Sequence, residues 1–175
     1  MLIDKDKSSL LIIDVQEKLF SVMPKPHTFI NNIVKLQKAA KILKIKNYCS
    51  EQYPNGLGKT IDKINENFFE LTKKFEKVEF SVQLSKISDL TSQYIVCGIE
   101  AHVCVLQTAM NLAKNNNVYV VQDAISSRYE KDYLTALSRL DKHPNIHIVS
   151  CEMVLFEWLR TSAHPEFKTI SQLIK

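Results

Sequence analysis

Cys97-Gly98-Ile99-Glu100-Ala101-His102-Val103-Cys104 is the stretch on which the fold turns. Residues 93–98 before it are apolar and read as a buried strand, and residues 101–114 after it read as a helix. Glycine is scarce in the chain, with only Gly56, Gly58 and Gly98. So few glycines are kept where the backbone has no substitute, and Gly98 marks a tight turn from strand into helix. The same scarcity removes the glycine-rich phosphate loops of nucleotide-binding enzymes.

Outward from this turn, apolar runs alternate with helical patterns. Strands are predicted at 9–14, 47–50, 75–80, 93–98, 118–122 and 146–149. Phe29, Ile33, Leu36, Ala40 and Leu43 recur at steps of four and three, which predicts an amphipathic helix. Residues 52–60 form a loop marked by Pro54-Asn55-Gly56, and a weaker helical stretch follows over 60–70. Ser127-Arg128-Tyr129-Glu130 has the form of a capping box that opens a helix to Leu140. Ser150 is positioned to cap a helix through Trp158, and Pro165 precedes a terminal one. Continuous apolar strands alternating with helices predict an α/β fold with a parallel sheet covered on both faces. In such sheets the site lies beyond the carboxyl ends of the strands.

The 175 residues suffice for one sizeable core, and no linker, repeat or low-complexity stretch divides them, so a single domain over 1–175 is expected. Leu10-Leu11-Ile12-Ile13 is stopped by Asp14, far short of the roughly 20 residues of a spanning helix, and no membrane association is expected. Asp4, Lys5, Asp6 and Lys7 do not read as a signal peptide. The net charge of +4 comes from dispersed lysines, which predicts a solvated surface and no nucleic-acid partner. Four cysteines, at 49, 97, 104 and 151, form no CxxC pair, as expected of reduced thiols in the cytoplasm. The histidines at 27, 102, 143, 147 and 164 are scattered, so no metal is expected.

Asp14 follows four apolar residues, where a carboxylate is costly unless paired or functional, although it could equally cap the next turn. Lys77, in Phe75-Glu76-Lys77-Val78-Glu79-Phe80-Ser81, reads by itself as an ordinary surface lysine. Cys104 falls in or near a first helical turn. Unpaired N–H groups and the helix dipole there favour a thiolate and could hold an oxyanion. The alternative is a small buried core cysteine. Helix 101–114 is apolar on several sides (Val103, Val105, Leu106, Ala109, Met110, Leu112, Ala113), which fits either a subunit contact or a fully buried helix.

Taken together, Leu10-Leu-Ile-Ile-Asp14-Val-Gln16, Glu51-Gln-Tyr-Pro-Asn-Gly-Leu-Gly58, Lys77-Val-Glu-Phe-Ser81, Gly98 to Thr108 and Asp123-Ala-Ile-Ser-Ser-Arg128 resemble the isochorismatase-like cysteine hydrolases. The tail from Phe156 to Lys175 resembles the compact branch typified by isochorismatase domain-containing proteins. The resemblance implies a Rossmann-like three-layer sandwich with a six-stranded parallel sheet and helices on both faces. It implies a triad of Asp14, Lys77 and Cys104, and a cis peptide at Ile99-Glu100 that aims the N–H groups of Glu100 and Cys104 at one oxyanion. It also implies a homo-oligomer, a small-molecule substrate with an amide-like C–N bond, and no cofactor. Glu51-Gln52-Tyr53 stands where the nicotinamidase branch carries its metal-binding Asp-x-His pattern, so no zinc is expected. Gln16, Gln52, Tyr53 and Glu100 are the candidate residues around the substrate, with Glu100 opposing a thiolate unless it is paired or turned outward. A free thiol titrates near 8.5, and Asp14 would take its proton with Lys77 favouring both charged forms. A catalytically silent binding or scaffold protein is the alternative, and the pH profile of Cys104 alkylation would separate the two.

Overall fold

The computed structural model describes residues 1–25, 27–87 and 91–175. Six strands form one parallel sheet: β1 (Ser8–Ile13), β2 (Lys46–Gln52), β3 (Thr72–Lys77), β4 (Gln93–Ile99), β5 (Asn117–Ser126) and β6 (Ile146–Val149), in the order β3-β2-β1-β4-β5-β6. Among the described residues eight α-helices accompany them. They are α1 (Glu17–Ser21), α2 (Thr28–Ile42), α3 (Pro54–Leu57), α4 (Asp62–Asn65), α5 (Leu106–Leu112), α6 (Glu130–Leu140), α7 (Cys151–Leu159) and α8 (Phe167–Ser171). A π-helical turn, Ala101–Val105, leads into α5.

Side-chain alternation along β1 shows how the layers are made. Leu10 and Ile12 point into a core shared with Ile30, Ile33 and Leu36 of α2 and with Leu155 and Trp158 of α7. Leu11 and Ile13 point into the opposite core, with Leu106, Ala109 and Leu112 of α5 and Ala136 and Leu140 of α6. Every β1 residue is buried, and each large one stabilises the fold by roughly 1.5–3 kcal/mol. The expected three layers with helices on both faces are therefore present.

Boundaries shift where the sequence signal is weak. β3 begins at Thr72 and ends at Lys77, earlier than the predicted 75–80. It is an edge strand, and its lysine-rich Thr-Lys-Lys-Phe-Glu-Lys lacks the apolar run of a central strand. β5 extends to Ser126 past a register shift opposite Val96 and Gly98. Ser150 caps α7 as predicted, accepting from the Met153 N–H. The capping box at Ser127 does not form: α6 has Tyr129 at its N-cap, and the Ser127 hydroxyl lies 2.9 Å from His102 Nδ1 instead. Around 101–114, Val105, Leu106, Ala109, Leu112 and Ala113 are buried within the chain, so the core accounts for most of that helix's apolar surface. No helix among the described residues is long and apolar enough to cross a membrane.

Candidate functional site

Four neighbouring strands end on the same edge. Ile13 pairs with Gly98 on β4 and with Ser50 on β2, and Gln52 pairs with Lys77 on β3. Gly98 has φ +120, and a Cβ on it would collide with the backbone of Ile13. Only glycine lets β4 come this close at the point where β1 gives way to Asp14. Asp14 itself turns out of the strand with φ 50, a left-handed conformation that Asp tolerates better than most residues. Its N–H still donates to Ser50 O at 3.1 Å.

That turn brings the Asp14 carboxylate against Lys77. Lys77 Nζ donates to Asp14 Oδ2 at 2.7 Å, and the Ser50 hydroxyl donates to Asp14 Oδ1 at 2.7 Å. The Cys104 thiol, carried by the π-helical turn after β4, lies close enough to both Asp14 and Lys77 for their charges to act on its proton. Asp14, Lys77 and Cys104 thus meet at one point, all three buried. The Lys77 ammonium also donates to Gln52 Oε1 at 2.7 Å and faces the carbonyls of Phe80 at 3.0 Å and Glu79 at 3.2 Å. Its three N–H bonds therefore meet at least as many acceptors inside the protein.

Protonation differs from the expectation. Burial pushes the Cys104 thiol up to about 12 and the Asp14 charge pushes the same way, with Lys77 opposing both. Desolvation outweighs the helix terminus that was expected to favour a thiolate. Burial also raises Asp14 above its ordinary 3.8, partly offset by Lys77 and Ser50. Both groups hold their protons more tightly than they would in water. Cys49 and Cys97 are core residues as predicted, and all four cysteines are free.

Glu100 resolves the question of charge beside the sulfur. Its side chain is buried, with Arg128 Nε 2.7 Å from Oε1 and His102 Nδ1 3.2 Å from Oε2. The Arg128 contact is ionic and the His102 contact is a close approach of ring nitrogen to carboxylate; neither Glu100 oxygen has a hydrogen-bond partner. The Ile99-Glu100 peptide is cis, as the resemblance implied. Glu51 accepts from the Thr60 N–H and hydroxyl, both at 2.7 Å, and from Lys74 at 3.3 Å. Among the described residues no three His, Cys, Asp or Glu side chains are grouped to hold a metal.

The candidate substrate residues separate. Gln16 is fully buried, and its amide donates to Gln52 O (3.0 Å) and Gly58 O (2.7 Å) and accepts from the Gln52 N–H (2.7 Å), so it straps the β1 end to the β2 loop. The Gln52 side chain spans Lys77 Nζ and Val78 O. Tyr53 is exposed with φ 37, its ring against Gly56. The sequence reading missed Ser50, which looked like one more strand residue, and a cleft of about 440 Å³ lined by Phe29, Asn32, Ile125, Ser126, Ser127 and Tyr133. Ile125 pairs with Gly98, so this cleft opens on the same strand edge as Asp14. The 123–128 motif was its only trace in the sequence.

Comparison with known proteins bears on the family and the fold. The isochorismatase domain matches residues 8–152. Isochorismatase domain-containing protein 2 of Danio rerio is 36% identical over 174 residues, covering 95% of this chain and 86% of that protein. The structure of MAR1 ribonuclease from Caenorhabditis elegans superposes with a TM-score of 0.94 at 35% identity, covering 99% of this chain and 92% of that one. The YcaC gene product of Escherichia coli, an octameric hydrolase of unknown specificity, shares the fold at 19% identity, with a TM-score of 0.89 over 99% of this chain and 89% of that one. With a domain match across most of its length and relatives of this identity, the chain belongs to the isochorismatase family and has that family's hydrolase fold.

Proposed function

We propose that the chain, acting as one domain over 1–175, hydrolyses a small substrate at an amide-like C–N bond with Cys104 as nucleophile. The observation that carries this is the meeting of Asp14, Lys77 and Cys104 at one buried point. Asp14 accepts the thiol proton as sulfur attacks the carbonyl carbon, so little free thiolate forms beforehand. Lys77 stays an ammonium and steadies the carboxylate. The oxyanion rests on the backbone N–H groups of Glu100 and Cys104. Asp14 then protonates the leaving amine, and the C–N bond breaks. Water, giving its proton to Asp14, displaces sulfur from the acyl carbon and restores the thiol. Water supplies the proton that the hydrolysis consumes, Asp14 relays it to the departing sulfur, and no cofactor takes part.

The deciding experiment is ammonia or amine release from a panel of small amides, imides and carbamoyl compounds, run against Cys104→Ala. Turnover that vanishes in Cys104→Ala while its circular dichroism stays native supports the reading, and turnover that persists overturns it. RNA belongs in the same panel because of the name carried by the C. elegans relative. A silent binding protein is the second reading, favoured by the burial of Cys104 and its thiol at about 12. Binding without release from any panel member would support it. A homo-oligomer is proposed by likeness to the octameric E. coli protein, with light scattering as the check. Four free thiols favour a cytoplasmic setting.

A further inference from the structure

β2 brings no member of the Asp14–Lys77–Cys104 group, yet it lies between the two strands that bring the charged ones. Strand residues two apart share a face, and Ser50 and Gln52 are such a pair. Ser50 pairs with Ile13 on one side, the residue before Asp14, and Gln52 pairs with Lys77 on the other. Their side chains reach outward accordingly: the Ser50 hydroxyl to Asp14 Oδ1 and the Gln52 amide oxygen to Lys77 Nζ, each at 2.7 Å. With Lys77 on Oδ2, each Asp14 oxygen has one fixed donor, which leaves the remaining lone pairs for the thiol. Gln52 is itself held at both ends, by Gln16 on its N–H and by Val78 O on its amide nitrogen. We infer that Ser50 and Gln52 are positioning residues that set the pose of the Asp14 carboxylate and the Lys77 ammonium, and that Gln52 holds Lys77 rather than substrate.

The inference rests on the proposed roles of Asp14 and Lys77 but is tested on Asp14 directly. The ionisable groups acting on Asp14 are Lys77 from β3 and Cys104 from the π-helical turn, with Cys49 of β2 on the opposite face of its strand feeling the Asp14 charge. Ser50 and Lys77 both favour the ionised carboxylate. The test is a carbon-13 NMR titration of the Asp14 carboxyl carbon in the full-length protein, for wild type, Ser50→Ala, Ser50→Thr and Gln52→Met. Ser50→Ala and Gln52→Met are expected to move the Asp14 midpoint to higher pH, and Ser50→Thr, which keeps the hydroxyl, to restore it. Loss of a hydrogen bond to a charged group corresponds to about a tenfold change in proton affinity, or about one pH unit. Urea unfolding of each variant confirms that it is folded, and if Ser50→Ala does not fold, Gln52→Met against wild type decides. Midpoints unchanged in the folded variants would overturn the inference and leave the hydrolase reading standing. A chain that turned over nothing would sink the hydrolase reading and leave these midpoints to be judged by themselves. Once a substrate is in hand, Gln52→Met should lower kcat with KM unchanged. A raised KM with unchanged kcat would show that Gln52 touches substrate.

Discussion

Gly98 and Ile13 are in backbone contact with no room for a side chain between them. β1 and β4 therefore converge one residue before Asp14 leaves the sheet, and the π-helical turn with Cys104 starts three residues after Gly98.

Gly98→Ala is accordingly expected to be severe. The added Cβ meets main chain, which cannot move aside as a flexible side chain could, and φ +120 disfavours any L-residue. A loss of about 3 kcal/mol or more is expected by urea unfolding, or insoluble expression. A variant within 1 kcal/mol of wild type would show that the strands can separate without cost.

Lys77→Met leaves Asp14 buried and unpaired. Breaking such a pair costs about 3–5 kcal/mol, whereas removing both charges is far milder. Asp14→Asn/Lys77→Met should therefore recover much of the stability lost by Lys77→Met, while both variants stay inactive. A double-mutant cycle by urea denaturation measures the difference.

Acid should silence turnover at a higher pH than an ordinary carboxylate would. Asp14 must be ionised to accept the thiol proton, and its native value lies above 3.8. Activity then falls as pH drops through that raised value. Stability runs the other way. The folded state binds this proton more tightly than the unfolded chain, so the fold loses stability as pH rises from 3.8 through the native value and regains it on acidification. The kcat/KM profile of the wild type reads the first dependence; pH-dependent urea unfolding reads the second, which Asp14→Asn, inactive for want of the base, should remove.

Iodoacetamide should react slowly with Cys104 near neutral pH and faster toward the top of the accessible range, because burial and Asp14 hold the thiol up to about 12. Mass spectrometry of the labelled peptide follows it. A midpoint well below 8 would mean that Lys77 dominates the sulfur, contrary to its surroundings here.

Ser150→Ala should cost about 1 kcal/mol, since the hydroxyl caps the first turn of α7. Thermal unfolding should then fall by roughly 2–4 °C for a chain of this size.

These contrasts separate what the residues announce from what they conceal. β1 and β4 were plain because both are buried along their whole length and read as continuous apolar runs. β3 was placed late because an edge strand needs no apolar signature, and its partly exposed lysines resemble any surface segment. In sequence nothing sets Lys77 apart from Lys73 and Lys74, yet in the fold Lys77 is buried and the other two are exposed. The family motifs single out Asp14, Lys77 and Cys104, and in the fold Lys77 bonds Asp14 while the charges of both act on the Cys104 thiol. They could not give the protonation of Cys104, because desolvation depends on the whole packed surroundings. The capping box failed for a similar reason: Ser127 had a histidine 25 residues upstream to compete for it.

Asp14 and Lys77 are 63 residues apart, with Cys104 further along still, and each reaches the common point from a different strand end. No contiguous fragment shorter than 14–104 contains all three, and even that one would lack β5, which flanks β4. Proteolysis between Lys77 and β4 would leave the acid and the ammonium on one piece and the sulfur on the other. Mixing separately refolded halves and following the return of turnover would therefore report reassembly of the β3-β2-β1-β4 block, with neither half active by itself.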